Sequence, residues 1–168
     1  MKKISMIGIS FLGMIAVVTV MFFNACTKDP CKDVNCNTPQ GNCVDGTCVC
    51  ATGYEGTDCS IKSADKFVGT WNGVDVCAST YTYTTTITES STEADKILIN
   101  NFGGFGNQYT ANATVTGTSF SVPSQVFGSV TIAGSGTISG DGLTITVTYT
   151  ANDTYGGSTS CNGTWAKQ

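Results

Sequence analysis

The 168-residue chain contains no histidine, and all eight of its basic residues are lysines, so it has no arginine either. Without histidine there is no ordinary Ser-His or Cys-His pair for nucleophilic catalysis, and without arginine there is no bidentate clamp on a substrate anion. Charged residues make up only 12% of the chain, and its carboxylates are not clustered in a way that points to an acid–base pair in a cleft. Glycine motifs that cradle phosphate and lead into a helix are missing. The chain is therefore expected not to be an enzyme and to carry no cofactor and no metal. Positive charge is also scarce: setting Lys2 and Lys3 aside, six lysines face twelve carboxylates, a balance that repels phosphate backbones and excludes nucleic acid as a partner. Beyond the N-terminal apolar run, no stripe with a 3.6-residue period suggests an amphipathic helix.

What the chain has in excess is cysteine, nine in groups of one, six and two. Lys2 and Lys3 precede an uncharged stretch from Ile4 to Phe23, which reads as a secretory signal spanning 1–25. Its length also suits an uncleaved anchor. The small Ala25 before Cys26 favours cleavage there, and Phe23-Asn24-Ala25-Cys26 resembles a bacterial lipobox. That resemblance implies a diacylglycerol on Cys26, a membrane anchor through this residue, and a location in a bacterial cell envelope, on the outer membrane. Acylation would also account for the odd thiol in an exported chain. Several acyl chains together hold a protein durably on a surface, and residues 26–30 would form a short lipidated stalk.

From Cys31 to Cys59 the spacing is C-x4-C-x6-C-x4-C-x-C-x8-C, with very few apolar residues. A segment this short cannot bury enough surface to offset chain entropy, so covalent staples must replace a core. Cysteine count alone leaves the pairing open. The closing run Cys48-Val49-Cys50-Ala51-Thr52-Gly53-Tyr54-Glu55-Gly56-Thr57-Asp58-Cys59 resembles the end of an EGF-like domain, with all six half-cystines and both glycines in place. The resemblance implies an EGF-like module over 31–59 with Cys31 joined to Cys43, Cys36 to Cys48, and Cys50 to Cys59. Calcium-binding members of that family carry acidic residues before the first cysteine. Thr27-Lys28-Asp29-Pro30 offers one carboxylate there, too few oxygens for a hard cation. The module reads either as a stapled spacer or as a surface for protein recognition.

After a polar linker over 60–64, the composition turns to Thr, Ser and Gly alternating with apolar residues over 65–168. Leu143, Ile145, Val147 and Tyr149 alternate with Thr144, Thr146, Thr148 and Thr150, and Tyr81, Tyr83, Thr85 and Ile87 alternate with Thr80, Thr82, Thr84 and Thr86. This is the period of a strand with one wet face. Turn signals divide the region into about eight strands, at 66–77, 80–89, 95–101, 107–117, 118–123, 128–138, 143–151 and 158–167. Short connections favour antiparallel neighbours, and a meander of that size closes into a barrel. The expected class is all-β, a small disulfide-rich module plus an antiparallel eight-stranded barrel, with an Ig-like β-sandwich as the alternative. A Cys77–Cys161 bridge would pair the first and last strands antiparallel, with Trp71 opposite Lys167 and Trp165 opposite Gly73. Large rings would then alternate with glycines on the inner face. Asp75 falls on the same face, where it contradicts a dry interior unless a bulge turns it outward or the barrel is open at that end.

Phe67-Val68-Gly69-Thr70-Trp71 resembles the G-x-W opening of lipocalins, and the region is similar in strand order to the small lipocalin-like domains of bacterial lipoproteins. The resemblance implies a calycin-type barrel and, as one reading, a cup for a small apolar ligand. Candidate ligand or partner contacts are Trp71, Tyr81, Tyr83 and Trp165, together with Phe102 and Phe105 in a glycine-rich loop that could instead plug the barrel. Three functions remain in view: a non-enzymatic binding or interaction module at the cell surface, with another extracellular protein or a glycan as partner; a carrier of a small apolar ligand; and a structural envelope component.

Overall fold

The computed structural model describes residues 28–168; the proposed signal and the lipidation site at Cys26 lie outside them. The N-terminal part is a stapled module built on two hairpins. Strands β1 (Gly41–Val44) and β2 (Thr47–Cys50) pair antiparallel, and β3 (Tyr54–Glu55) pairs with β4 (Ile61–Lys62). Between β1 and β2, Asp45 and Gly46 both have positive φ, 49° and 81°, the two-residue hairpin geometry that favours Asp-Gly. Disulfides join Cys31 to Cys43, Cys36 to Cys48, and Cys50 to Cys59, the order that the EGF-like resemblance implies. Residues 60–64 are not a free linker, since Ile61 and Lys62 belong to a sheet with Tyr54 and Glu55.

The remaining strands are β5 (Gly69–Val76), β6 (Thr80–Glu89), β7 (Lys96–Asn100), β8 (Thr110–Thr116), β9 (Ser119–Phe127), β10 (Val130–Ile138), β11 (Thr144–Asp153) and β12 (Ser158–Lys167). Each pairs antiparallel with its neighbour in sequence, and β12 pairs with β5 to close the ring. The result is a closed eight-stranded barrel and not the two stacked sheets of an Ig-like sandwich. Closure leaves no edge strand in this unit to recruit other chains. The seam register has Trp165 opposite Gly73 and Lys167 opposite Trp71, and a Cys77–Cys161 disulfide lies just beyond it.

The fourth barrel strand, expected from residue 107, starts at Thr110, and two other boundaries differ from the sequence reading for identifiable reasons. The first barrel strand was expected from residue 66, but Asp65–Phe67 forms a 3-10 turn that drives Phe67 into the barrel. There its carbonyl accepts a hydrogen bond from Trp71 Nε1 at 3.0 Å. The fifth strand was expected to stop at residue 123. It continues to Phe127 because the pairing of β9 with β10 shifts register between Ile132 and Gly134, and this bulge accommodates Pro123, which has no N–H to give the ladder.

The interior is filled by side chains. Trp71, Trp165, Phe67, Phe102 and Phe120 are all at 2% exposure or less and interdigitate with Ile87, Ile97, Ile99, Ile145 and Val147. An eight-stranded barrel has room for little else. The rings meet edge to face, Phe67 against Phe120 and Phe102 against Trp165. Their bulk is matched by inward glycines: a Cβ on Gly73 would sit 2.8 Å from the Tyr83 ring, and one on Gly134 would sit 2.5 Å from Tyr149 Cβ.

The stapled module docks on one end of the barrel. Gly53, at φ 85°, lies so close to the hairpin between β6 and β7 that a Cβ would come within 2.6 Å of Asp95 N. Lys62 pairs with Glu89 at 2.6 Å, while Lys66 pairs with Glu55 at 2.6 Å and donates to Gly117 O at 2.9 Å. The Lys62 hydrogen bond holds Glu89 below its ordinary range, whereas burial and the adjacent Glu89 raise Asp65.

The covalent clasp on the seam makes a direct prediction. Cys77 and Cys161 are 84 residues apart, so their bridge removes a long loop from the unfolded ensemble. Replacing both by alanine is expected to lower stability by about 2–4 kcal/mol in urea unfolding. A loss under ~0.5 kcal/mol would show that the ladder alone holds the seam.

Candidate functional site

At the end of the barrel away from the module, the inner face of β5 carries Asp75. No bulge turns it outward and no opening wets it; the residue is 0% exposed. Its carboxylate is held by three donors from three other strands. Tyr83 of β6 donates to Oδ2 at 2.6 Å, Tyr149 of β11 donates to Oδ2 at 2.8 Å, and Trp165 Nε1 of β12 reaches Oδ1 at 3.4 Å. Trp165 Nε1 also donates to Tyr83 Oη at 2.8 Å, so the Tyr83 hydroxyl accepts one bond and passes one on. The space for the carboxylate exists because its neighbour across the seam is Gly163, where any side chain would collide with Asp75 Oδ1.

All three donors are neutral, and among the described residues no ion pair reaches Asp75. Leaving a buried carboxylate without partners costs several kcal/mol, and the three hydrogen bonds offset that cost. The network in turn fixes the hydroxyls. Burial, then the hydrogen bond to Asp75 and its charge, push the Tyr83 hydroxyl far above the ordinary tyrosine range, and burial with the Asp75 charge does the same to Tyr149.

A cleft of about 330 Å³ opens beside this network. Its walls include Tyr81, Phe105, Tyr149, Ala78, Ala151 and Thr159, and the Cys77–Cys161 bridge borders it. Tyr81 is 53% exposed at the mouth. The loop 101–109 forms one side. Asn101 Oδ1 accepts from Gly106 N at 2.8 Å and its amide donates to Thr84 O at 2.8 Å, bracing the loop against β6. Phe102 is buried against Tyr149 and Trp165, and Phe105 packs on Phe127 and Tyr149. Of the two readings for this loop, the plug describes Phe102 fully, while Phe105 also faces the cleft.

The structure thus gathers Tyr81, Tyr83, Phe102, Phe105 and Trp165 at one end and separates Trp71 from them. Trp71 lies toward the module, sealed in the core under Lys167, whose Nζ is 5.3 Å from the ring centre. Trp165 is equally buried and touches the site through Asp75, Tyr83 and the Phe102 ring. Sequence reasoning did not single out Tyr149, which joins the cleft to the carboxylate. Its signal was available in the inward period of β11, opposite Cys161.

The network sets an order of variant effects. Tyr83→Phe removes a donor to Asp75 and the acceptor of Trp165 Nε1, whereas Tyr149→Phe removes one donor. Tyr149→Phe is expected to cost roughly 1.5–3 kcal/mol in urea unfolding and Tyr83→Phe more, hydrogen bonds to a charged group being the strong ones. Equal and negligible losses would show the network to be incidental. Because both folded-state values are raised, the folded protein retains these protons where the unfolded chain loses them. Their stabilisation is complete below about pH 10 and falls as pH rises beyond it. The double phenylalanine variant should flatten this alkaline decline.

No protein-family model matches the sequence, and no curated protein does. Among solved structures, the chain is similar to a redesigned β-barrel at 15% identity and a TM-score of 0.44, over 63% of this chain and 95% of the designed one. It is also similar to a structural-genomics protein of unknown function from Bacteroides ovatus at 15% identity and a TM-score of 0.39, over 60% of this chain and 41% of that one.

Proposed function

We propose that the chain is a lipid-anchored protein of a bacterial cell envelope, held at the outer membrane through Cys26, in which an EGF-like module is a rigid spacer and a lipocalin-like barrel is a non-enzymatic binding platform. The observation that carries this reading is the polarity of the molecule. The stapled module, which follows Cys26 directly in sequence, docks on one end of the barrel through Gly53, Lys62 and Lys66. The cleft and the loop 101–109 therefore lie at the end away from the anchor, where a soluble ligand, an extracellular protein or a glycan would approach. Four disulfides among the described residues suit an oxidising location outside the cytoplasm.

The packed interior favours a platform over a carrier with a deep cup. Trp71, Trp165 and Phe102 occupy the volume that an enclosed apolar ligand would need, so binding falls to the rim. A purely structural envelope component would have no use for an aromatic cleft beside a buried carboxylate.

Membrane fractionation with intact-mass analysis tests the tether. The chain is expected in the membrane fraction, cleaved before Cys26, carrying the mass of its acyl groups and lacking eight hydrogens, two for each of the four bridges. Cys26→Ser should leave the chain unacylated and shift it out of the lipidated pool. A wild-type chain recovered in soluble form with an unmodified Cys26 would overturn the anchored reading.

A further inference from the structure

We infer that the cleft at the end of the barrel away from the module is a binding site for a small organic ammonium ion, a cationic head with an apolar body. Charge placement is the first support. The barrel's basic side chains are engaged at the module end: Lys66 on Glu55 and Gly117 O, Lys96 on Thr114, and Lys167 over Trp71. The four connections at the opposite end, residues 77–79, 101–109, 128–129 and 154–157, contain no charged residue at all. The strand ends beside them contribute only carboxylates, Asp75 inside and Asp153 outside. That end carries negative charge with no basic side chain of its own to balance it.

The second support is the chemistry of the walls. Tyr81, Phe105 and Tyr149 present rings, and the negative faces of aromatic rings attract a cation, more strongly with water excluded. Ala78 and Ala151 supply apolar surface for the body of the ligand. Tyr149 then links the cleft to the interior, because its hydroxyl donates to Asp75 at 2.8 Å. The two other donors to that carboxylate are also neutral, so its field is not cancelled locally and reaches into the cleft through low-dielectric surroundings. An anion would meet the same field with the wrong sign and no basic side chain. A neutral apolar molecule would meet the walls and gain nothing from Asp75. The volume of about 330 Å³ suits one small molecule.

This inference deepens the binding-platform reading and relies on it for the direction in which the cleft faces. Its test is calorimetric titration of the detergent-solubilised full chain with choline and with 3,3-dimethylbutan-1-ol, which has the same shape without the charge. Choline is expected to bind at least about tenfold more tightly than the alcohol, the scale of a partly desolvated cation–π contact. Tyr81→Leu keeps an apolar side chain at an exposed rim position and removes the ring. It should weaken choline roughly three- to tenfold with the melting temperature unchanged. Asp75→Asn should erase the preference for choline, but because this change can unfold the barrel, Tyr81→Leu is the deciding variant. Equal binding of the two probes, no binding of choline, or a Tyr81→Leu variant that binds choline like the parent overturns the inference. Binding is read away from any membrane, so that result bears on the ligand class and leaves the test of the tether to stand by itself.

Discussion

A carboxylate sealed inside a β-barrel forces much of what surrounds it. Asp75 is as buried as the tryptophans, cut off from bulk water, so its hydrogen bonds have to come from within the barrel. Tyr83, Tyr149 and Trp165 do so from β6, β11 and β12, which places the requirement on half of the barrel wall at once. Gly163 must lack a side chain to admit the carboxylate, and Gly73 must lack one to admit the Tyr83 and Trp165 rings that serve it. An apolar residue at position 75 alone would leave the Tyr83, Tyr149 and Trp165 donors without this acceptor, so the cluster can be replaced only as a whole. Replacing a satisfied buried polar cluster by well-packed hydrophobic residues is often neutral or stabilising, so stability alone is a weak reason for the network to exist. Its position beside the cleft is what the binding reading proposed above would explain.

The two ends of the barrel are chemically opposite, and the docking of the module explains why. One end is covered: Phe67 closes the core, Lys66 bridges Glu55 and the hairpin at Gly117, and Lys62 meets Glu89. Basic side chains are concentrated there, against carboxylates, a threonine hydroxyl or a ring. The other end has hairpins without charge, a glycine-rich loop braced by Asn101, and exposed aromatic surface at Tyr81. Loops that carry binding residues work best on a scaffold that does not move with them. Here the scaffold is a ring without edges, held at its far side by a cross-braced module.

The alternation of threonine with apolar residues made the barrel legible, because a strand with one wet face writes its period directly into the sequence. Strand β6 begins at Thr80 and ends at Glu89, and β12 runs from Ser158 to Lys167, both where the pattern places them. The seam register was equally legible, since two cysteines fix which residues face each other. Less legible were places where a distant contact decides a local question. Pro123 looks like a strand end until the bulge at its own position, two residues of β9 opposite Ala133 of β10, is seen to carry the strand past it. Residues 60–64 look like a linker until Tyr54 and Glu55 are seen to pair with them. Asp75 looks like an error in the inward face, because two of its three partners lie 74 and 90 residues away in sequence. Period reveals which way a side chain points, but not who will meet it there.

The position of the Cys77–Cys161 bridge adds a further step. The seam between β5 and β12 joins the first and last strands of the barrel, and it is the pairing with the largest loop to close. At the module end it is fastened by Gln168 N on Thr70 O and by Lys167 over Trp71, contacts that can fray. At the cleft end it is fastened covalently, with the bridge at the border of the cleft itself and the Tyr149 hydroxyl 3.9 Å from Cys77 Sγ. A hydrogen-bonded seam ending at an open mouth would be the first part of the barrel to breathe, carrying Asp75 and Trp165 with it. Locking that border holds the rings and the carboxylate in one arrangement, which would lower the ordering cost of the binding proposed for this rim, where no enclosing cup imposes it.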